Sequence, residues 1–222
     1  MQIRWYGHSC FLLKDENGAS VLTDPYGSHI GYELPEISAD AVTISHDHSD
    51  HNNISTVKSN TVIIRAPGEY EVNGIKIVGI ETDHDRCGGA LRGKNVMFIY
   101  EMDGMRVLHC GDLGIIPPQE TIDKIGHIDV MMVPIGAIYT IDDLEAREFA
   151  NIIKPKVVIP MHYKTSKLKI ELCTLAPFVD ALRDCRIHNI NDCDCSIHRI
   201  SLGEDRVIVL RPYDPERDEA AE

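Results

Sequence analysis

The chain has 222 residues, 43% hydrophobic and 26% charged, which suits one compact domain with a sizeable buried core. Its formal net charge is −13 with histidine neutral, which disfavours nucleic-acid polymers and anionic membrane surfaces, since both want basic patches. No apolar run is long enough to span a bilayer, and the seven scattered cysteines do not form the even set of a disulfide framework.

Met1-Gln2-Ile3-Arg4-Trp5 enters a strand-like pattern at once, with no signal-peptide apolar region, so the expected location is the cytoplasm. Ile3–Tyr6, Cys10–Leu13 and Ser20–Thr23 read as strands, the last two joined by a turn at Glu16-Asn17-Gly18. Ala41–Ser45 is a further apolar strand that delivers the chain to His46-Asp47-His48-Ser49-Asp50-His51. Thr61–Arg65, Glu69–Val72 and Ile75–Ile80 follow, with Asn73-Gly74 a hairpin turn, and Met102-Asp103-Gly104 joins Val96–Tyr100 to Met105–Cys110. Helices are predicted at Pro118–Ile125, stopped by Gly126, at Asp142–Ile153, stopped by Pro155, and at Thr174–Cys185. The last places Phe178, Ala181, Leu182 and Cys185 on one apolar face. Strands are expected between and after them at Asp129–Val133, Lys156–Pro160 and Val207–Leu210. Hairpins interspersed with helices make the class α/β or α+β. Residues 1–212 form one domain in this reading, and the acidic tail 213–222 is expected to be disordered.

The chemistry concentrates in residues 46–51. In an extended segment residues i and i+2 point the same way, so His46 and His48 can grip one metal. Asp50 and His51, just beyond, can face a second. Imidazole and carboxylate are the ligands that Zn²⁺ and similar cations take at catalytic sites. Two metals need more ligands than one loop offers. His84, Asp112 and His162 each follow an apolar strand and can converge at one edge of the sheets, where α/β enzymes place their sites.

The pattern HxHxDH, an isolated His, a Gly-Asp and a late His resembles the metallo-β-lactamase superfamily. The flanking phrases Trp5-Tyr6-Gly7-His8-Ser9, Leu22-Thr23-Asp24-Pro25 and Ile159-Pro160-Met161-His162-Tyr163 look most like its small stand-alone Zn-dependent hydrolases, related to the ascorbate-6-phosphate lactonase group. The resemblance implies an αββα sandwich, with two mixed β-sheets face to face and helices outside. It also implies two divalent ions, zinc with manganese or iron as alternatives. His46, His48 and His84 would hold the first, Asp50, His51 and His162 the second, and Asp112 would bridge them.

Two divalent cations outweigh the two aspartates, leaving a locally positive pocket suited to an anionic small-molecule substrate. The expected reaction is hydrolysis of an ester or lactone by a metal-activated hydroxide, with Asp50 orienting the nucleophile. Around the ligands, Asp24 is a candidate to hydrogen-bond a metal-binding histidine from outside, and His109 is a second such candidate. His8 can approach the site, although the role of a satisfied structural histidine suits it better. Tyr139, Tyr163 and Arg92 are candidates for substrate contact, Arg92 through the loop Arg86–Asn95. Phosphodiester hydrolysis on small nucleotides or phospholipid-like esters, and a non-catalytic metal-binding module, are the alternative readings.

Overall fold

The computed structural model describes residues 1–182, 186–198 and 206–218. Its strands fall into two mixed sheets. The first contains β1 (Gln2–Gly7), β2 (Cys10–Lys14), β3 (Ser20–Thr23), β4 (Ala41–Thr43), β5 (Val62–Ile64) and β13 (Asp194–Ser196), in the order β13-β1-β2-β3-β4-β5. The second contains β6 (Gly68–Val72), β7 (Ile75–Asp83), β8 (Lys94–Met102), β9 (Met105–His109), β10 (Val130–Pro134), β11 (Val157–Met161), β12 (Arg186–Asn189) and β14 (Arg206–Val209). Its order is β12-β14-β11-β10-β9-β8-β7-β6.

Alternation of side chains along the strands sorts them into layers. Ile3, Trp5, Phe11, Leu13, Val21 and Ala41 turn to the core shared with the second sheet. Tyr6, Cys10, Leu22 and Val42 turn outward, where Tyr26, Ile30, Tyr32, Leu168 and Leu172 cover them. A hydrogen bond of 2.7 Å between the Thr43 and Tyr100 hydroxyls ties the sheets across the core. All five residues of β10 are buried, as expected of a parallel strand covered on both faces.

Helices α1 (Gln119–Ile125), α2 (Asp143–Ile153) and α3 (Ala176–Ala181) contribute Ile125, Phe149 and Phe178 to the core around the second sheet. Asp142 caps α2 in a reciprocal pair with Glu145, at 2.9 Å and 3.1 Å. The result is the αββα sandwich that the resemblance implied. Among the described residues no helix is long and apolar enough to cross a membrane.

Strand direction explains where the site falls. β1 and β3 both run antiparallel to β2, and β4 runs parallel to β3. In the second sheet β7 and β9 both run antiparallel to β8, with β10 and β11 parallel to β9. The C-terminal ends of β1, β3 and β4 therefore share one edge of their sheet, and those of β7, β9, β10 and β11 share one edge of the other. His8, Asp24, His46, His84, Asp112 and His162 each follow one of these ends.

The structure departs from the sequence reading in three places. Helix α3 ends at Ala181 rather than running through the predicted span, whose positions 183–185 lie outside the described residues. Strands β12 and β13 are short and polar, and lack the apolar alternation that reveals a strand. The tail is ordered at its start: Tyr213 is buried, packs its ring on Tyr6 at 5.2 Å and donates its N–H to Trp5 O. A short helix, α4 (Pro215–Asp218), follows; residues 219–222 lie outside the described set.

Candidate metal centre

The loop after β4 places three imidazoles and a carboxylate in one turn. The ligand atoms of His46, His48 and His84 lie within 4.8 Å of one another, as do those of His8, Asp50, His51 and His162. Asp112 sits between the two groups. Its Oδ2 is 3.1 Å from His162 Nε2, 3.4 Å from both His51 Nε2 and His84 Nε2, and 3.9 Å from His46 Nε2. The sequence-predicted set of His46, His48, Asp50, His51, His84, Asp112 and His162 is thus brought together whole.

The donor chemistry fits a cation. His51 uses Nδ1 to bond Asp24 Oδ2 at 2.9 Å, and His46 uses Nδ1 to bond Ser45 Oγ at 2.9 Å. Ser45 Oγ in turn donates to Asp24 Oδ2 at 2.6 Å, and Ser45 N–H donates to Asp24 Oδ1 at 2.8 Å. Because the hydroxyl spends its proton on Asp24, it accepts from His46 Nδ1–H. Both histidines therefore carry a proton on the outer nitrogen, Nδ1, and turn Nε2 inward. His46 Nε2, His51 Nε2 and Asp112 Oδ1 are buried with no hydrogen-bond partner. The two ring nitrogens, each backed by a hydrogen bond on the far side of the ring, have the arrangement of metal-binding histidines.

The electrostatics agree. Burial disfavours the charged form of Asp112, yet the neighbouring His162 and His51 hold its carboxyl well below the usual range. Burial likewise opposes ionised Asp24, and the His51 hydrogen bond overcomes it. At His51 burial works against a proton, but Asp112, Asp24 and Asp50 together lift its pKa well above the ordinary value. A focus of negative charge strong enough to hold a proton on a buried imidazole is also one that attracts a cation. His46, lacking so close a carboxylate, is lowered by burial to about 3 and stays neutral, the form that binds metal.

Supporting residues hold this geometry. Asn95, fully buried at the start of β8, accepts from Asp112 N–H at 2.9 Å and donates to Thr82 Oγ1 and Cys110 O, both at 2.9 Å. His109 bonds Ser9 O through Nε2 at 2.9 Å and accepts Gly111 N–H on Nδ1 at 3.2 Å. It braces the Gly111 turn that aims Asp112 and lies in neither ligand cluster. Gly111 has φ +55°, and a Cβ there would stand 2.3 Å from Asn95 Oδ1. His8, Asp24 and His162 also have positive φ, at 54°, 38° and 52°. Such backbone strain in non-glycine residues gathers at functional sites.

A cavity of about 380 Å³ opens onto the cluster, lined by His48, Asp50, His84, Arg92, Asp112 and Tyr139 among others. Arg92 and Tyr139 are therefore on its wall. Tyr163 is not: it is buried, with its ring 5.4 Å from that of Trp5, and it packs the core behind His162. His8 stands against the cluster. It is fully buried and bonds Asp50 Oδ2 through Nε2 at 3.1 Å, and its ring lies 4.3 Å from that of His162. The placement of His8 next to Ser9 in the turn after β1 was its only signal. Two further residues escaped notice. Asn95 looked like the end of a loop, and His29, which contacts Ser49 Oγ at 3.2 Å and lines the cavity, stands in no motif.

Fold, ligand geometry and cavity together define a metallohydrolase. The chain belongs to the β-lactamase superfamily, whose domain matches residues 2–162. It is a metal-dependent hydrolase of that superfamily. It is 31% identical over 199 residues to a UPF0173 metal-dependent hydrolase of Archaeoglobus fulgidus, covering 76% of this chain and 85% of that protein. It is also similar to a crystal structure from Thermotoga maritima, a candidate Zn-dependent hydrolase of the metallo-β-lactamase superfamily. There the identity is 37%, the TM-score 0.79, and 94% of this chain and 98% of the other are covered. The diiron β-hydroxylase CmlA of Streptomyces venezuelae shares the fold alone, at 15% identity and TM-score 0.63, with 94% of this chain covering 52% of that one.

Proposed function

We propose that the chain holds two divalent ions, zinc in the first instance, and hydrolyses an ester- or lactone-type small molecule that carries negative charge. The observation that carries this reading is the position of Asp112 Oδ2, within 3.9 Å of four imidazole Nε2 atoms drawn from both ligand clusters. One carboxylate that reaches both groups is suited to bridging two ions. His46, His48 and His84 would hold one ion, and Asp50, His51 and His162 the other, with manganese or iron as alternatives to zinc.

Bound there, divalent ions supply Lewis acidity and bring the pKa of a coordinated water toward ~7. Asp50 is half-buried at the cavity wall and is fixed from behind by His8. Its carboxylate can accept a proton from an attacking water and aim it at a carbonyl in the cavity. Arg92 and Tyr139 face the same space and can hold the part of the substrate that does not react. The net charge of −13 does not invite polynucleotides. The six described cysteines are free thiols, which fits the reducing cytoplasm.

The test is a hydrolysis screen of the metal-reconstituted chain against lactone, thioester, carboxylic ester and phosphodiester panels, paired with elemental analysis. Two metal equivalents with turnover of lactones or esters are expected, and both should fall together in Asp112→Ala. Preferential turnover of phosphodiesters, or no turnover at full metal loading, would overturn the reading.

A further inference from the structure

The segment between His84 and Asn95 is built around a single carboxylate. Asp85 is buried, and its Oδ1 accepts the N–H groups of Cys87 at 2.7 Å and Gly89 at 2.9 Å. Its Oδ2 accepts those of Leu91 and Arg92, both at 2.8 Å. Four backbone donors folded about one anion make a concave nest. Gly88, Gly89 and Gly93 provide the positive φ values of 69°, 84° and 88° that this path needs. Gly93 N–H closes the loop on Gly89 O at 2.9 Å, and Arg86 ties its outer side to Glu145 of α2 at 2.7 Å. Asp85 follows a candidate ligand directly and so looks like a ligand itself, yet its oxygens are spent on this loop.

The loop presents Arg92. Its guanidinium carbon lies 5.4 Å from the centre of the Tyr139 ring, and Nη2 approaches Ile138 O at 3.5 Å. The neighbouring cations are paired, Arg86 with Glu145 and Lys94 with Asp83, whereas no acidic partner engages Arg92 among the described residues. Among the described residues lining the cavity it is also the only arginine or lysine. A guanidinium seated over an aromatic ring, with no carboxylate on its fork, can take an oxyanion.

We infer that Arg92 is the specificity-determining residue for a terminal oxyanion of the substrate, a carboxylate or a phosphate, and that Asp85 is the positioning residue that holds it over the cavity. The inference rests on the hydrolase reading and deepens it, because it assigns the negative charge of the substrate to the end remote from the reacting bond. Arg92 selects among esters, and Asp85 acts only through the loop.

The test uses the full chain at full metal loading. First, the Arg92 side-chain Nε–Hε resonance is followed by NMR during titration with inorganic phosphate and, separately, with acetate. A saturable shift with either anion is expected. A stronger response to phosphate points to a phosphomonoester end, and a stronger response to acetate points to a carboxylate. Second, kcat/KM is measured for an ester bearing a remote carboxylate or phosphate and for its neutral isostere. The ratio should fall about tenfold or more in Arg92→Gln and by less in Arg92→Lys, which keeps the charge but loses the fork. Asp85→Asn exchanges one acceptor oxygen for a donor. It should speed hydrogen exchange at two or more of the amides of Cys87, Gly89, Leu91 and Arg92, and raise KM for the charged ester with kcat within about threefold. An Arg92 resonance that ignores both anions, with a selectivity ratio unchanged in Arg92→Gln, overturns the proposal even if hydrolysis is vigorous. Unchanged amide protection in Asp85→Asn overturns the role of Asp85. The anion titration needs no turnover, so a chain that binds oxyanions at Arg92 but hydrolyses no ester contradicts the hydrolase reading instead.

Discussion

His8 Nε2 meets Asp50 Oδ2 at 3.1 Å across 42 residues of sequence, joining the turn after β1 to the loop after β4. Burial, followed by the nearby His162, lowers the His8 pKa to about 4, so at neutral pH it is an uncharged donor that fixes one oxygen of Asp50. His8→Ala should leave that carboxylate free to rotate. The expected outcome is a loss of about 10–100-fold in turnover or in affinity for the ion beside Asp50. Chelator competition and steady-state kinetics read the two effects, and wild-type values in both would refute the role.

Asp24 is fully buried and takes three donors, from Ser45 N, Ser45 Oγ and His51 Nδ1. Asp24→Ala strands all three and should cost about 3–5 kcal/mol of stability, since it also removes the partner of a buried charged group. Asp24→Asn keeps one acceptor oxygen, so the fold should survive while metal affinity drops about 10–100-fold. Chemical denaturation and metal titration of the pair separate the two contributions. An Asp24→Asn protein with undiminished metal affinity would show that Asp24 only packs the turn.

The C-terminal segment is clamped onto β1. Arg211 makes a two-pronged ion pair with Asp218, and the buried Tyr213 ring packs on Tyr6. Tyr213→Ala should destabilise the protein by about 3 kcal/mol in a thermal or urea melt. The Arg211 hydrogen bond lowers the Asp218 carboxyl to about 2, below the usual ~4 of an unfolded aspartate. A depressed carboxyl contributes stability that is complete above its unfolded pKa and is lost as pH falls through the folded one. The clamp should therefore hold at pH 5 and loosen between about pH 4 and pH 2. Limited proteolysis after residue 211 across that range would reveal the release, and cleavage equally fast at pH 5 would contradict it.

Residues 46–51 were legible because their chemistry is local: three histidines and two aspartates after an apolar strand need no tertiary information. His84, Asp112 and His162 were legible for a related reason, since each follows a strand whose apolar pattern marks its end. What stayed hidden depends on distance or on reuse of a familiar residue type. Nothing near His8 announces Asp50, and nothing near Asn95 announces the Asp112 amide. Asp85 resembles a ligand by type and becomes a loop organiser only when four backbone N–H groups turn toward it. Tyr163 misled in the opposite sense. It is adjacent to His162, but the strand has ended and the backbone turns through positive φ at His162, and the Tyr163 ring packs on Trp5 rather than on the cavity.

Anomalous diffraction at the zinc edge from crystals of the zinc-loaded chain tests the account at its centre. Two peaks are expected, one among His46, His48 and His84 and the other among Asp50, His51 and His162, with Asp112 within bonding reach of both. A map with no peak in this cluster, or with zinc bound only elsewhere, would contradict it.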